Sequence, residues 1–181
     1  MIEKIQRVRR ELKYSGAIVD FYTDTMHFPN GNTEEWDYIA HRKGAAAVIA
    51  VLDNGKLLMV KQYRNALNRE TLEIPAGSRD SVDEPTIECA ARELEEETGY
   101  KAGKLELLIT IQTTVAFCNE AIDIYLAKDL VKTKQKLDEN EFVEIGEYSI
   151  EELLDMIYSC ELQDGKTVSA ILAYNAKYLS K

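Results

Sequence analysis

Apolar positions along this chain come in short runs broken by turn residues, the pattern of a strand-rich domain rather than a helical one. Ala45 to Leu52 is nearly continuous in apolar side chains, which suits a strand buried on both faces. Asp53-Asn54-Gly55 is a turn, and Lys56 to Tyr63 resumes strand character, so the two runs predict a hairpin. Thr71 to Ile74 predicts a short strand that stops at Pro75-Ala76-Gly77. Further strands are predicted at Leu105 to Ile111, Ile122 to Ala127 and Phe142 to Tyr148. Ahead of them, Ala17 to Tyr22 and Thr25 to Pro29 read as two short strands around a tight turn. Pro29 to Asn32 is a second turn, and Trp36 to His41 another strand. The opening segment, through Tyr14, reads as a strand or a short helix.

Helical spacing appears three times. A helix is predicted from about Pro85 to Thr98, with proline at its first turn and Gly99 just past its end, and two late helices at Ser149 to Ser159 and Lys166 to Leu179. Strands and helices mix without strict alternation, which predicts an α/β domain of the α+β type with a mixed sheet and helices packed on it. No repeat or low-complexity segment interrupts the pattern. The first forty-odd residues predict a small sheet of their own: 1–43 as a β extension and 44–181 as the main domain.

The first helix carries the unusual chemistry. At about 100° per residue, Ile87, Ala90, Ala91, Leu94 and Thr98 form one stripe, expected to face the core. Glu93, Glu96 and Glu97 gather on another side. Like charges three and four apart destabilise a helix by roughly 0.2–0.5 kcal/mol per pair, and a surface chosen for stability would put lysine or arginine at one of those places. A bound divalent cation turns the repulsion into a ligand set, because Mg²⁺ takes hard carboxylate oxygens and keeps several waters. Arg92 can pair with Glu88 or Glu96 along the helix, or reach back to Glu84 and hold the preceding loop.

Charge narrows the partners. The 181 residues carry a net charge of −10, which disfavours a nucleic-acid backbone as ligand and requires bound cations if the substrate is itself a phosphate. The length suits one domain with a sizeable core. No apolar stretch reaches membrane-span length, and the charged start is unlike a secretion signal, so a cytoplasmic protein is expected. Cys89, Cys118 and Cys160 match neither a disulfide framework nor a zinc site, and are expected to be reduced, buried or half-buried small side chains.

Residues Gly77 to Tyr100, GSRDSVDEPTIECAARELEEETGY, resemble the Nudix box, G-x5-E-x7-R-E-U-x-E-E-x-G-U, with U a bulky apolar residue. Glu84, Arg92, Glu93, Leu94, Glu96, Glu97, Gly99 and Tyr100 match at the family's spacing; six residues instead of five separate Gly77 from Glu84, a departure confined to the loop. Val60 to Gly77, VKQYRNALNRETLEIPAG, resembles the V-x-Q-y/f-R … E-x-P-A-G segment of the ADP-ribose pyrophosphatase subfamily. Glu35-Trp36-Asp37 sits where that subfamily holds adenine. FCNEAIDIYLAKDL and the acidic Asp138 to Ile145 are also similar to it, although Val115-Ala116 stands where Pro-Gly is often found.

The resemblance implies a Nudix α/β/α sandwich with a small N-terminal sheet, cutting the diphosphate bridge of a nucleotide, ADP-ribose above all, with Mg²⁺ (or Mn²⁺). It implies Glu93 and Glu97 as main metal ligands, Glu96 as a supporting one, and the Ala76 carbonyl as another. Arg92 belongs to the same catalytic box. The base that activates water falls in the late acidic loop, as Glu139 or Glu141. Arg64 is implied as a phosphate contact on the terminal-ribose side, and Trp36 and Asp37 as adenine contacts that reach into a partner subunit's site, hence a homodimer. Arg42 is a further candidate for phosphate or ribose, and Glu120 a family-like acid on the substrate side. Two other readings stay in view: hydrolysis of a different nucleoside diphosphate sugar or damaged triphosphate, and a non-catalytic ADP-ribose sensor.

Overall fold

In the computed structural model, which describes residues 4–180, the chain forms two sheets and three helices. The first sheet is an antiparallel meander of β1 (Gln6–Ser15), β2 (Val19–His27) and β3 (Thr33–His41). The opening segment is therefore a strand from Gln6 onward. The two short strands expected at Ala17 to Tyr22 and Thr25 to Pro29 are one continuous β2. The expected turn fails because Asp24, nearly buried, is met by a side-on Arg10, with both oxygens 2.6 Å from guanidinium nitrogens. A paired carboxylate can stay in a strand interior where an unpaired one would favour a turn.

The main sheet has seven strands: β4 (Ala45–Val51), β5 (Leu57–Arg64), β6 (Arg69–Glu73), β7 (Ala76–Ser78), β8 (Tyr100–Gln112), β9 (Ala121–Lys132) and β10 (Val143–Tyr148). Its path runs β10-β5-β4-β9-β8, with β4 parallel to β9 and the other pairings antiparallel. β4 is central. Ala45, Ala47 and Ile49 face one core, shared with Leu153 of α2 (Ile150–Tyr158) and Ala170 and Ile171 of α3 (Gly165–Tyr174). Ala46, Val48 and Ala50 face the other, where Cys89, Ala90 and Leu94 of α1 (Thr86–Thr98) pack. The alternation buries both faces and yields an α/β/α sandwich. The single late helix expected at Lys166 to Leu179 ends at Tyr174 and continues as a π-helical turn, Asn175–Leu179.

The hairpin of β4 and β5 is paired only next to its turn, at Ala50 with Leu58 and Val51 with Leu57. Beyond that the strands part. β5 takes β6 as its partner and β4 takes β7, so one segment of chain, 69–78, lines both sides of the split. A cleft of about 1050 Å³ opens there, bounded by the ends of β5, β6 and β7, the 113–120 loop and the start of α3. The first sheet is joined to this rim: Ile39 donates its backbone N–H to the Phe117 carbonyl at 2.7 Å, and the His41 N–H bonds the Asn119 side chain, also at 2.7 Å.

Candidate active site

Helix α1 enters from Pro85 and stops at Gly99, whose φ of 69° is left-handed and whose missing Cβ leaves room for the Gln135 backbone. The last turn holds no basic residue. Its carbonyls are met instead by the strand tail that follows β9: the Lys136 N–H bonds the Glu96 carbonyl at 2.9 Å, and the Gln135 amide bonds the Glu97 carbonyl at 2.7 Å. That docking brings the 138–142 loop beside the helix.

The helix face differs from the expected stripe. Cys89, Ala90, Leu94, Glu97 and Thr98 are buried, whereas Ile87 is exposed and Ala91 only half-buried. Charge alone would put Glu97 in solvent. Instead it is 2% exposed and accepts the Ala76 N–H at 2.9 Å. Glu93 is also largely covered, under Gly77: a Cβ at Gly77 would meet the Glu93 carboxylate, so any larger residue there would force that side chain to move. Burial pushes Glu97 up to about 8 against the Ala76 N–H, with Glu93 and Glu141 adding repulsion. It pushes Glu93 up to about 6, opposed by Arg92 and reinforced by Glu96 and Glu141.

Arg92 organises the rest. It bonds Glu84 at 3.2 Å, Glu93 at 2.8 Å, Glu96 at 3.1 Å and the Ser78 carbonyl at 3.1 Å, and makes no pair with Glu88. Glu84 in turn accepts the Asp80 N–H at 2.6 Å, so one arginine ties the loop, with its extra residue, to the helix. Among the described residues no three acidic, histidine or cysteine side chains close into a ready-made metal cage. Arg92 draws Glu93 and Glu96 to itself, and Ala76 holds Glu97. The donor set nonetheless fits a hard divalent cation. It has buried carboxylates that resist ionising, a strand end beside them, and the glycine cradle, and Mg²⁺ needs only one or two carboxylates because it keeps waters.

The late acids separate. The Glu141 N–H closes a turn on the Asp138 carbonyl at 3.0 Å and the strand begins only at Val143, so strand alternation does not set the directions of Glu139 and Glu141. Glu139 is exposed; Glu141 is half-buried and lies close enough to raise both Glu93 and Glu97. Arg64 stands on the cleft wall, side-on to Glu73 at 2.7 and 2.6 Å. Glu120 also lines the cleft, 3.7 Å from the His41 ring. Arg42 is not brought to the substrate face of the cleft. Its guanidinium is spent on Asp20 at 2.5 and 3.0 Å, on Ser15 and on the Gly16 and Ala17 carbonyls. Trp36 and Asp37 lie on β3, and Trp36, half exposed, meets Phe28 edge to face. Neither lines this chain's own cleft. Sequence reasoning missed Lys166, which starts α3 and reaches Glu73 and, at 2.8 Å, Asp164. A cation in a first helical turn opposes the helix dipole, and that mismatch was its available signal. Of the cysteines, Cys89 is buried and Cys118 half-buried, but Cys160 is exposed, because it follows α2 in a surface turn.

A split mixed sheet, a glycine cradle and an arginine-bound acidic helix define a hydrolase site of the Nudix type. The chain belongs to the Nudix family: the NUDIX domain model matches residues 40–168. It is 42% identical over 166 residues to the ADP-ribose pyrophosphatase of Bacillus subtilis (strain 168), covering 91% of this chain and 89% of that one. It is 40% identical over the same length, with the same coverage, to the methanol dehydrogenase activator of Bacillus methanolicus. A crystal structure of an ADP compounds hydrolase superposes with a TM-score of 0.87 over 97% of this chain and 95% of that one; at 20% identity this likeness speaks for the fold. Among the described residues no helix is long and apolar enough to cross a membrane.

Proposed function

We propose that the chain hydrolyses the diphosphate bridge of ADP-ribose to AMP and ribose 5-phosphate, using Mg²⁺ or Mn²⁺. The observation that carries the reading is the pair Glu93 and Glu97: two covered carboxylates with raised pKa values and too little cationic charge of their own. Glu93 and Glu97 would hold the metal, with Glu96 and the Ala76 carbonyl in support. A divalent cation held there would supply positive charge against the diphosphate and Lewis acidity toward water. Arg92 keeps the acids and the loop in register. Glu141 takes the proton from the attacking water; Glu139, further out, does not. Arg64 meets the phosphate on the terminal-ribose side, and Glu120 borders the sugar.

The 1–43 extension supplies substrate and dimer contacts to the 44–181 hydrolase domain. Trp36 and Asp37 recognise adenine in the site of a second subunit, which requires a homodimer. Val8, Leu12 and Tyr14 of β1, all exposed and apolar, support that pairing. The substrate is a small nucleotide diphosphate, not a nucleic acid or a membrane, and the working compartment is the cytoplasm.

The purified chain, given ADP-ribose with Mg²⁺, should form AMP and ribose 5-phosphate in equal amounts and stop when chelator is added. A panel ranked by kcat/KM should put ADP-ribose above other nucleoside diphosphate sugars and triphosphates. No product with either Mg²⁺ or Mn²⁺ would overturn the reading, and tight binding without turnover would turn it into a sensor.

A further inference from the structure

Arg64 approaches Glu73 through only one of its edges. Nε donates to one carboxylate oxygen at 2.7 Å and Nη2 to the other at 2.6 Å. Among the described residues Nη1, on the far edge, has no acceptor, and the side chain lines the cleft with about two-fifths of it open to solvent. Glu73 is the opposite: 2% exposed and saturated. Thr71 donates to the same oxygen as Arg64 Nε at 2.6 Å, and Lys166 reaches the other oxygen. Lys166 is itself fixed by Asp164, and the α3 N-terminus is tied to the end of β6 by Thr167, whose hydroxyl accepts the Ile74 N–H at 3.0 Å. A carboxylate held by four donors cannot swing, and a guanidinium held side-on cannot roll.

We infer that Glu73 is a positioning residue for substrate: by gripping one edge of Arg64 from inside the cleft wall, it turns the other edge toward the phosphate of the sugar half. This rests on the proposed hydrolysis of a nucleoside diphosphate sugar, and it gives the buried acid a task that ion pairing alone does not require. The lysine behind it matters for the same reason. Lys166 shares its charge between Glu73 and Asp164, so it adds no net positive charge; what it contributes is a second anchor that keeps the Glu73 carboxylate in place behind Arg64.

The test uses the 181-residue chain in three steps. The wild-type chain is first run on the substrate panel, which decides the proposed reaction by itself. Glu73→Gln is then assayed on whichever diphosphate sugar is turned over best, with that sugar's own phosphate and the nucleoside monophosphate as competing inhibitors. The expected result is a rise in KM of about tenfold, a similar weakening of inhibition by the sugar phosphate, and inhibition by the monophosphate within about twofold of wild type. Arg64→Lys should give the same split, because lysine can satisfy Glu73 or reach the phosphate but has no second edge; it serves also if Glu73→Gln fails to fold. If both inhibitors weaken together, if only the monophosphate weakens, or if only thermal stability changes, Glu73 is a packing group and the inference falls.

Discussion

Two buried glutamates, Glu73 in the cleft wall and Glu97 against the Ala76 backbone beside it, carry opposite electrostatic debts. Glu73 and Glu97 are each 2% exposed. Around Glu73, burial acts to raise the pKa, but Arg64, Lys166 and Thr71 outweigh it and hold the carboxyl down at about 2. Among the described residues Glu97 has one hydrogen-bond donor, the Ala76 backbone N–H, with Arg64 adding some attraction, and burial with its acidic neighbours drives it up to about 8. Desolvation is common to both; the cations differ. A buried acid with its cations supplied by the chain is finished structure, able to orient something else. One without them is incomplete until charge arrives from solution. The contrast sets the proposed orienting acid apart from the proposed metal ligand by their surroundings alone.

The largest expected effect comes from removing the incomplete one. If Glu97 holds metal as proposed, Glu97→Gln should lower turnover by roughly 10²–10⁴-fold, since a metal ligand supplies several kcal/mol of transition-state stabilisation. Its carbonyl can still accept the Ala76 N–H, so the fold should persist, and the chelated variant should melt at or above the chelated wild type because a buried acid has gone. Near-normal turnover, or collapse of the variant, would erase the distinction between the two glutamates.

A pH series sharpens it with less force. Glu97 has a raised folded pKa, so the metal-free fold binds a proton the unfolded chain has released. Its contribution is full below about 4.5 and is lost as pH rises through about 8. Glu73 is lowered, so its contribution is present above about 4.5 and lost as pH falls toward about 2. Melting curves in chelator should therefore show stability declining from about pH 5 to 8, and saturating Mg²⁺ should flatten that limb, with proton release on binding near neutral pH. The acid limb below pH 4.5 should be indifferent to Mg²⁺ and should shrink in Glu73→Gln. A metal-independent alkaline limb would contradict the account of Glu97.

Most of the frame was legible because its signals are local. The all-apolar run at Ala45 to Leu52, the Asp53-Asn54-Gly55 turn and the Pro85 to Gly99 helix each state their own conformation. The acid spacing on α1 likewise announced its crowding. Contacts distant in sequence were not legible. Helical periodicity put Ile87 in the core and could not foresee that the Ala76 N–H, from a strand 21 residues earlier, would draw Glu97 inward instead. The docking of 133–136 on the end of α1, which leads into the loop of Glu139 and Glu141, is likewise a contact between distant segments. Lys166 joins Glu73 across 93 residues, and no periodicity carries that information. The mid-strand Asp24 misled for the same reason, its partner Arg10 lying on another strand.

Arg42 marks the far end of the same comparison. It resembles Arg64 in sequence terms, a cation after a strand, yet its Nε, Nη1 and Nη2 all contact the ends of β1 and β2 and the turn between them, five polar contacts in all. Where Glu73 takes one edge of an arginine and leaves the other, Asp20, Ser15 and two carbonyls take nearly all of this one. Arg42→Ala should therefore leave kcat/KM within about twofold of wild type, as expected for a partly exposed ion pair remote from chemistry. The loss should appear instead as faster amide exchange in the β1–β2 turn and a small fall in melting temperature. A selective rise in KM matched by weaker inhibition by AMP would mean that the arginine leaves its clasp for the nucleotide, and the rule that a saturated guanidinium is structural would fail at this site.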